Sequence, residues 1–159
     1  MIPHFMKCGA GLVGSLLVAM ALAWPGATAA QDEEKPYEIK DGVVDWYTFS
    51  GFRRYHAECH VCHGPDGLGS SFAPALVESL KTLTYDDFLE VVVNGRETAS
   101  SGGQNKMPSF GENKNVMCYV DDLYAYLKAR SDGAVGRGRP AKKQPKPQEA
   151  KDAEDACMS

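Results

Sequence analysis

Two cysteines and a histidine form a compact cluster, Cys59-His60-Val61-Cys62-His63. Two thiols at this spacing can each form a thioether bond with a vinyl group of the same porphyrin. The imidazole of His63 then lies under the iron and serves as its axial ligand. The C-x-x-C-H pattern therefore predicts one covalently attached haem c.

Two other kinds of site use similar residues. A structural zinc site needs a further ligand pair, and the chain contains no second C-x-x-C. A dithiol oxidoreductase would place its C-x-x-C within a βαβ context, which this sequence lacks. Covalent haem attachment is therefore the interpretation of residues 59–63.

The second axial ligand is predicted to be Met107. It lies in a segment rich in Gly, Ser and Asn, and Pro108 biases it toward extended backbone. A thioether on such a loop can close over the haem, and Met/His ligation raises the reduction potential, which suits an electron carrier. The alternatives are Met117, beside the apolar stripe of the last predicted helix, and Met158, near the C-terminus. A methionine can also simply fill a gap in the core.

Pro74 is the candidate partner of the axial imidazole. A metal-bound histidine usually donates its other N–H to an acceptor such as a backbone carbonyl. Pro74 follows His63 in the same loop region, and its fixed φ makes its carbonyl a stiff acceptor. The alternative is an ordinary turn proline. His56 and His60 are predicted to be surface or edge residues.

Helices are predicted to position these groups. Apolar and aromatic residues recur at helical spacing before the haem motif, and the glycine-rich turn at residues 64–69 must end that helix. Thr84 to Asp87 resembles a capping box, and Gly95 is a stop signal. The predicted helices cover residues 46–59, 75–83, 84–94 and 115–130. Residues 98–112 are expected to form a loop, and no strand is predicted.

The first and last predicted helices carry a further pattern. Gly51 and Tyr55 precede the haem motif, and Leu123, Tyr126 and Leu127 lie on the last helix. This pattern resembles the class I cytochromes c, whose terminal helices cross at a glycine and interlock an aromatic side chain with a Leu-x-x-Tyr-Leu pair. Position 55, usually Phe in that family, is Tyr here. The resemblance implies an all-α fold with three to five helices around one covalently bound haem.

The chain is also similar to a narrower group, the four-cysteine c-type cytochromes linked to methanol metabolism. The similarity lies in the segments Arg53-Arg-Tyr-His56, Gly69-Ser-Ser-Phe-Ala-Pro74, Asn113 to Tyr119 and residues 127–140. Members of this group accept electrons from quinoprotein (PQQ-containing) alcohol dehydrogenases. The resemblance implies such a dehydrogenase as donor and another cytochrome c or a terminal oxidase as acceptor.

The N-terminal residues predict export. A 16-residue apolar run from Gly9 to Trp24 is followed by an A-x-A cleavage site within residues 27–30. The run is shorter than the roughly 20 residues that span a bilayer, so residues 1–30 are predicted to be a secretory signal peptide. An uncleaved membrane anchor is the alternative. Covalent haem attachment also requires export, which predicts a periplasmic protein without a stable membrane anchor.

After the predicted signal peptide, the chain divides into a polar N-terminal segment at residues 31–45, a haem domain at 46–130 and a tail at 131–159. The tail has Gly and Pro, then Lys and Pro, then acidic residues, and is predicted to be flexible. Cys118 points away from the apolar stripe of the last helix, and Cys157 in the tail is its remaining intramolecular partner. A Cys118–Cys157 disulfide, intermolecular disulfides and free thiols all remain open.

The formal net charge is −4, which argues against a nucleic-acid partner, because such proteins present a basic face. The predicted function is outer-sphere electron transfer by a monomeric, mono-haem carrier that makes and breaks no covalent bond. A haem enzyme or gas sensor with an open sixth coordination site is the alternative. A haem subunit that acts only within a larger dehydrogenase is a third possibility.

Overall fold

The computed structural model describes the backbone of residues 35–100 and 103–159, and their side chains except those of residues 98–105. The predicted signal peptide lies outside the described residues. Within the described part of the chain, no helix is long and apolar enough to cross a membrane.

The architecture is mainly helical. The helices are α1 (Trp46–Glu58), α2 (His60–His63), α3 (Leu76–Ser79), α4 (Tyr85–Asn94), α5 (Lys114–Met117), α6 (Val120–Ser131) and α7 (Gln148–Met158). A short 3₁₀ turn, Pro65–Gly67, follows α2. The strands are β1 (Ile39–Lys40), β2 (Val43–Val44), β3 (Arg96–Ser100), β4 (Gly103–Met107) and β5 (Lys142–Lys143).

Two helix starts show how local sequence fixes the elements. Asp45 caps α1, because its carboxylate accepts hydrogen bonds from the Thr48 backbone N–H at 2.8 Å and the Thr48 hydroxyl at 2.6 Å. The predicted capping box at the start of α4 is present between Thr84 and Asp87, and Gly95 ends that helix. These signals set the start of α1, which leads into the haem motif, and both ends of α4.

The core forms where α1 meets α6. A Cβ at Gly51 would lie 1.8 Å from the backbone oxygen of Asp122 and 2.8 Å from the Cβ of Tyr126. Glycine is therefore required for the two backbones to approach this closely. Burial at this crossing raises the pKa of Asp122 to about 6. The fully buried side chains include Tyr55, Tyr126, Leu123 and Leu127.

The predicted helix over residues 115–130 is broken into α5 and α6. Tyr119 has φ −137° and ψ 20°, which is not helical. Its side chain is buried, and the Arg54 guanidinium carbon lies 3.4 Å from its ring centroid. The break between α5 and α6 therefore lies at a residue that makes a cation–π contact with Arg54, and the spacing of apolar residues in the sequence does not reveal this contact.

The expectation of no strands was wrong. Strands β3 and β4 pair antiparallel, with Arg96 opposite Met107. A second, three-stranded sheet has the order β1-β2-β5, with β5 parallel to β2. Both sheets are built from polar or very short segments, so neither carries the alternation that predicts a strand from sequence.

The tail, predicted to be flexible, contains regular secondary structure. Residues 132–147, here called the C-terminal strap, run from α6 to α7 and contain β5. The Lys143 ammonium lies 4.8 Å from the ring centroid of Trp46 and 5.1 Å from that of Phe49. Basic side chains on aromatic rings thus secure the strap to α1, and Val135 of the strap is buried in the core.

Helix α7 is attached to the end of α5. Cys118 and Cys157 form a disulfide with a Cα–Cα distance of 5.8 Å. The Lys114 ammonium donates a hydrogen bond of 2.6 Å to the backbone oxygen of Ser159, and Lys146 forms an ion pair with Glu154. Helix α7 itself contains no buried residue.

We predict that Gly51→Ala destabilises the protein by roughly 1–3 kcal/mol or more, because its Cβ would overlap the backbone of Asp122. Urea unfolding followed by circular dichroism measures the loss. Gly136→Ala is the matched control, since no atom lies within 4 Å of the added Cβ, and it should change the free energy of unfolding by less than about 1 kcal/mol. Equal effects of the two variants would contradict a close crossing at Gly51.

We predict that Cys157→Ser leaves the haem spectrum and the core unfolding midpoint nearly unchanged but makes the tail more sensitive to protease. By restricting the unfolded chain, a disulfide with a sequence separation of 39 residues could stabilise the folded state by roughly 3–4 kcal/mol if the whole loop unfolded together with the core. The effect on the core is smaller, since α7 buries no residue. Limited proteolysis and non-reducing electrophoresis are the measurements, and the single variant should form dimers through Cys118.

The double variant Cys118→Ser/Cys157→Ser is the control. It should be cleaved as readily as the single variant but form no covalent dimers. Two alkylatable thiols in the unreduced, haem-loaded protein would contradict the bridge.

Candidate haem site

The haem motif begins where α1 ends. The Cys59 backbone N–H donates to the Tyr55 oxygen at 2.9 Å as the cap of α1, and α2 then carries Cys62 and His63. Cys59 is half-buried, Cys62 is exposed, and neither is in a disulfide. Burial raises the pKa of the Cys59 thiol to about 12, so this thiol is protonated at neutral pH. Because neither cysteine is in a disulfide, both sulfurs are free for thioether bonds.

His63 is oriented by Pro74. Its side chain is buried, and its Nδ1 lies 3.0 Å from the Pro74 carbonyl oxygen. With Nδ1–H donating to this carbonyl, Nε2 keeps the lone pair that an iron ion needs. The structure thus places Pro74 at the distance expected of the acceptor that the sequence predicted.

Tyr55 holds the turn that follows His63. Its hydroxyl donates to the Gly64 carbonyl oxygen at 2.5 Å and accepts from the Gly67 N–H at 3.0 Å. The side chain is fully buried, and this burial raises the pKa of its phenol. The family's usual Phe at this position could not make either bond. The hydroxyl therefore gives Tyr55 a function that the sequence pattern did not reveal.

Met107 lies at the end of β4 beside α4. The carbonyl oxygen of Met107 would be 2.6 Å from a Cβ at Gly95, so the hairpin is packed closely against the end of α4. The Phe110 N–H donates to the Val92 oxygen at 2.9 Å and fixes the segment after Met107. Met107 and Met117 are both half-buried and pack against the core, whereas Met158 is exposed. The assignment of Met107 as the second axial ligand stays a prediction.

His56 and His60 form an H-x-x-x-H pair, so the expectation that the chain has no second pair of zinc-ligand residues was wrong. Their rings are stacked, with centroids 5.8 Å apart. The His56 Nδ1 lies 2.9 Å from the Phe52 oxygen, and its Nε2 lies 3.7 Å from an Asp66 carboxylate oxygen. Among the described residues, no group of three His, Cys, Asp or Glu side chains could hold a metal ion.

Exposed apolar side chains surround the motif. Val61 is 72% exposed, Phe72 is 70% exposed and Leu68 is 43% exposed. The Ser70 hydroxyl donates to the Cys62 carbonyl oxygen and accepts from the Phe72 N–H at 3.0 Å, which fixes the loop beside the motif. Two free thiols, one oriented imidazole and nearby apolar surface together fit an attached porphyrin.

Comparison with known proteins decides the family. The model of the family described as "Cytochrome C oxidase, cbb3-type, subunit III" matches residues 49–127. Cytochrome c-555 of Methylococcus capsulatus is 43% identical over 127 residues, which cover 79% of this chain and 91% of that protein. This chain is a class I c-type cytochrome. It matches the methanol-metabolism-related group predicted from the sequence.

Two other relatives agree. Cytochrome c-553I of Paracoccus denitrificans is 57% identical over 124 residues, which cover 77% of this cytochrome but 55% of the relative's length. The crystal structure of the c-type cytochrome XoxG from Methylobacterium extorquens AM1 superposes with a TM-score of 0.65 at 50% identity, covering 79% of this cytochrome and 83% of that chain. The predicted class I fold and a covalently bound haem c are confirmed, and the cytochrome is an electron carrier rather than an enzyme.

We predict that Met107→Ala leaves haem covalently attached but opens the iron to carbon monoxide or cyanide, because the second axial ligand is lost. Visible and near-infrared absorption of the purified protein is the measurement, together with cyanide titration. Met117→Ala is the matched control and should only reduce stability, by less than the roughly 2–5 kcal/mol of a fully buried methionine, because Met117 is half-buried. An open iron in the Met117 variant alone would contradict the assignment.

Proposed function

We propose that this cytochrome accepts single electrons in the periplasm from a quinoprotein alcohol dehydrogenase and passes them to another cytochrome c or a terminal oxidase. The similarity to methanol-metabolism-related cytochromes supports the donor class. The predicted signal peptide and the chemistry of haem attachment support the compartment. The observation that carries the proposal is the structure of the attachment site. Hydrogen bonds hold the axial His63 in place, while Val61 and Phe72 nearby are exposed to solvent.

The rigid side keeps the ligand geometry constant. When bound, haem supplies an iron that gains and loses one electron. Pro74 orients the His63 ring, and the Tyr55 hydroxyl holds both ends of the turn that follows it. The Gly69 N–H also donates to the His63 carbonyl oxygen at 2.7 Å. These bonds restrict movement of the axial histidine, which suits rapid transfer with little rearrangement.

The open side offers a contact surface. Val61 and Cys62 are exposed in the haem motif, and Phe72 is exposed in the loop that the Ser70 hydroxyl ties to Cys62. Exposed apolar side chains of this kind mark protein-interaction sites. Because the Ser70 side chain fixes the backbone of Phe72, a partner would meet a preformed surface rather than a mobile loop. We assign this surface to docking of the electron donor.

The alternative of a haem enzyme or gas sensor finds no support among the relatives, which are named as cytochromes. Stable incorporation into a larger dehydrogenase would require the apolar surface to be covered permanently. The exposed area contributed by Val61 and Phe72 is small for such an interface, which favours a transient encounter.

We predict that a purified quinoprotein methanol dehydrogenase reduces this cytochrome when methanol is added. Stopped-flow absorbance at the reduced haem band measures the second-order rate constant. Phe72→Ser should lower this constant roughly 5- to 30-fold, as expected when an aromatic contact worth 1–2 kcal/mol is removed. The visible spectrum should not change.

Tyr47→Ser is the matched control, because Tyr47 is another exposed aromatic residue, on α1. It should leave the rate constant within about twofold of the wild type. No reduction by the dehydrogenase would refute the proposed donor. Equal effects of the two substitutions would refute the docking surface but leave the donor intact.

A further inference from the structure

A buried carboxylate lies in the turn directly after the axial histidine. Asp66 is 5% exposed and adopts φ +60°, a conformation that side-chain-bearing residues rarely take. It stands between Gly64 and Gly67, both also at positive φ. An unpaired buried carboxylate is costly, so the position of this group requires partners.

The partners of Asp66 come from the C-terminal strap. One carboxylate oxygen accepts from the Gly138 backbone N–H at 2.9 Å. The other lies 3.4 Å from Arg137 Nε, and the Arg137 side chain is 68% exposed. Arg130, in the last turn of α6, donates from Nε to the Asp66 backbone oxygen at 3.3 Å. Residues more than 60 positions away in sequence thus hold the side chain and the backbone of Asp66.

The charge of Asp66 is only partly compensated. Arg137 contacts it through a single nitrogen and is largely in solvent, where its charge is screened. His56 faces the carboxylate with its Nε2 at 3.7 Å, and the phenols of Tyr55 and Tyr126 lie within electrostatic range of it. Arg130 binds the Asp66 backbone rather than the carboxylate. Three residues span at most about 11 Å, so Asp66 lies close to the axial histidine. A negative charge at this distance favours the more positively charged, oxidised state of a haem.

We propose that the Asp66 carboxylate, held by the C-terminal strap, sets the reduction potential of the haem. The carboxylate lowers the potential, and Arg137 offsets part of this effect from the strap. The strap is therefore a tuning element as well as a structural one. This inference holds whichever protein supplies the electron, since it concerns the haem domain alone.

The test is a redox titration of holo-cytochromes with mediators. Asp66→Asn keeps an oxygen acceptor for the Gly138 N–H but removes the charge, so the potential should rise. A roughly tenfold change in the electron-exchange equilibrium, which corresponds to about 59 mV for one electron, is expected. Arg137→Gln should lower the potential by a smaller amount. This effect should be weaker when Arg137→Gln is combined with Asp66→Asn, because the carboxylate that Arg137 offsets is then absent.

Glu90→Gln is the charge control, because Glu90 lies on the exposed face of α4. An Asp66→Asn shift no larger than that of Glu90→Gln would overturn the proposal. So would a rise accompanied by a changed axial-ligand spectrum, since ligand loss would then explain it. If Asp66→Asn does not mature, Arg137→Gln decides: a lowered potential with an unchanged spectrum supports the proposal, and an unchanged potential refutes it.

Discussion

The close approach of α1 and α6 at Gly51 is the constraint on which the haem site depends. Helix α1 ends at the first attachment cysteine, and α6 supplies the residues that pack under the turn after the axial histidine. Tyr126 contacts both Phe52 and Tyr55 across this crossing, with ring centroids 5.6 and 5.7 Å apart. The Tyr55 hydroxyl then reaches the Gly64–Gly67 turn. A wider separation of the helices would move Tyr55, and with it the backbone that carries His63.

The parts that were predictable from sequence rest on local signals. The C-x-x-C-H pentad, the glycine and aromatic residues of α1 and the capping box of α4 each act within a few residues, so their consequences can be read directly. The position of Pro74 near His63 follows from metal-ligand chemistry combined with a short loop. The structure agrees with these local predictions to within one or two residues at most helix ends, including Glu58 and Asn94.

The features that were missed depend on long-range or backbone interactions. The β3–β4 hairpin is held by main-chain hydrogen bonds between polar segments, which have no hydrophobic alternation. The strap is held by Lys143 on Trp46, a contact that has no periodic signature. The break at Tyr119 reflects packing with Arg54. The sequence pattern of the haem turn includes Asp66, but only the fold reveals that Gly138 and Arg137 hold it.

The disulfide between Cys118 and Cys157 has a consequence for biogenesis. The haem domain and tail contain four cysteines, which can be paired completely in three ways, and haem attachment requires that Cys59 and Cys62 stay reduced while the other pair is oxidised. Cys157 follows Cys59, Cys62 and Cys118 in the chain, and synthesis proceeds from the N-terminus, so its thiol becomes available after the other three. Maturation therefore has to delay oxidation of Cys118 until Cys157 is available. The order in which thiols become available, as much as the final packing, is part of what this sequence must encode.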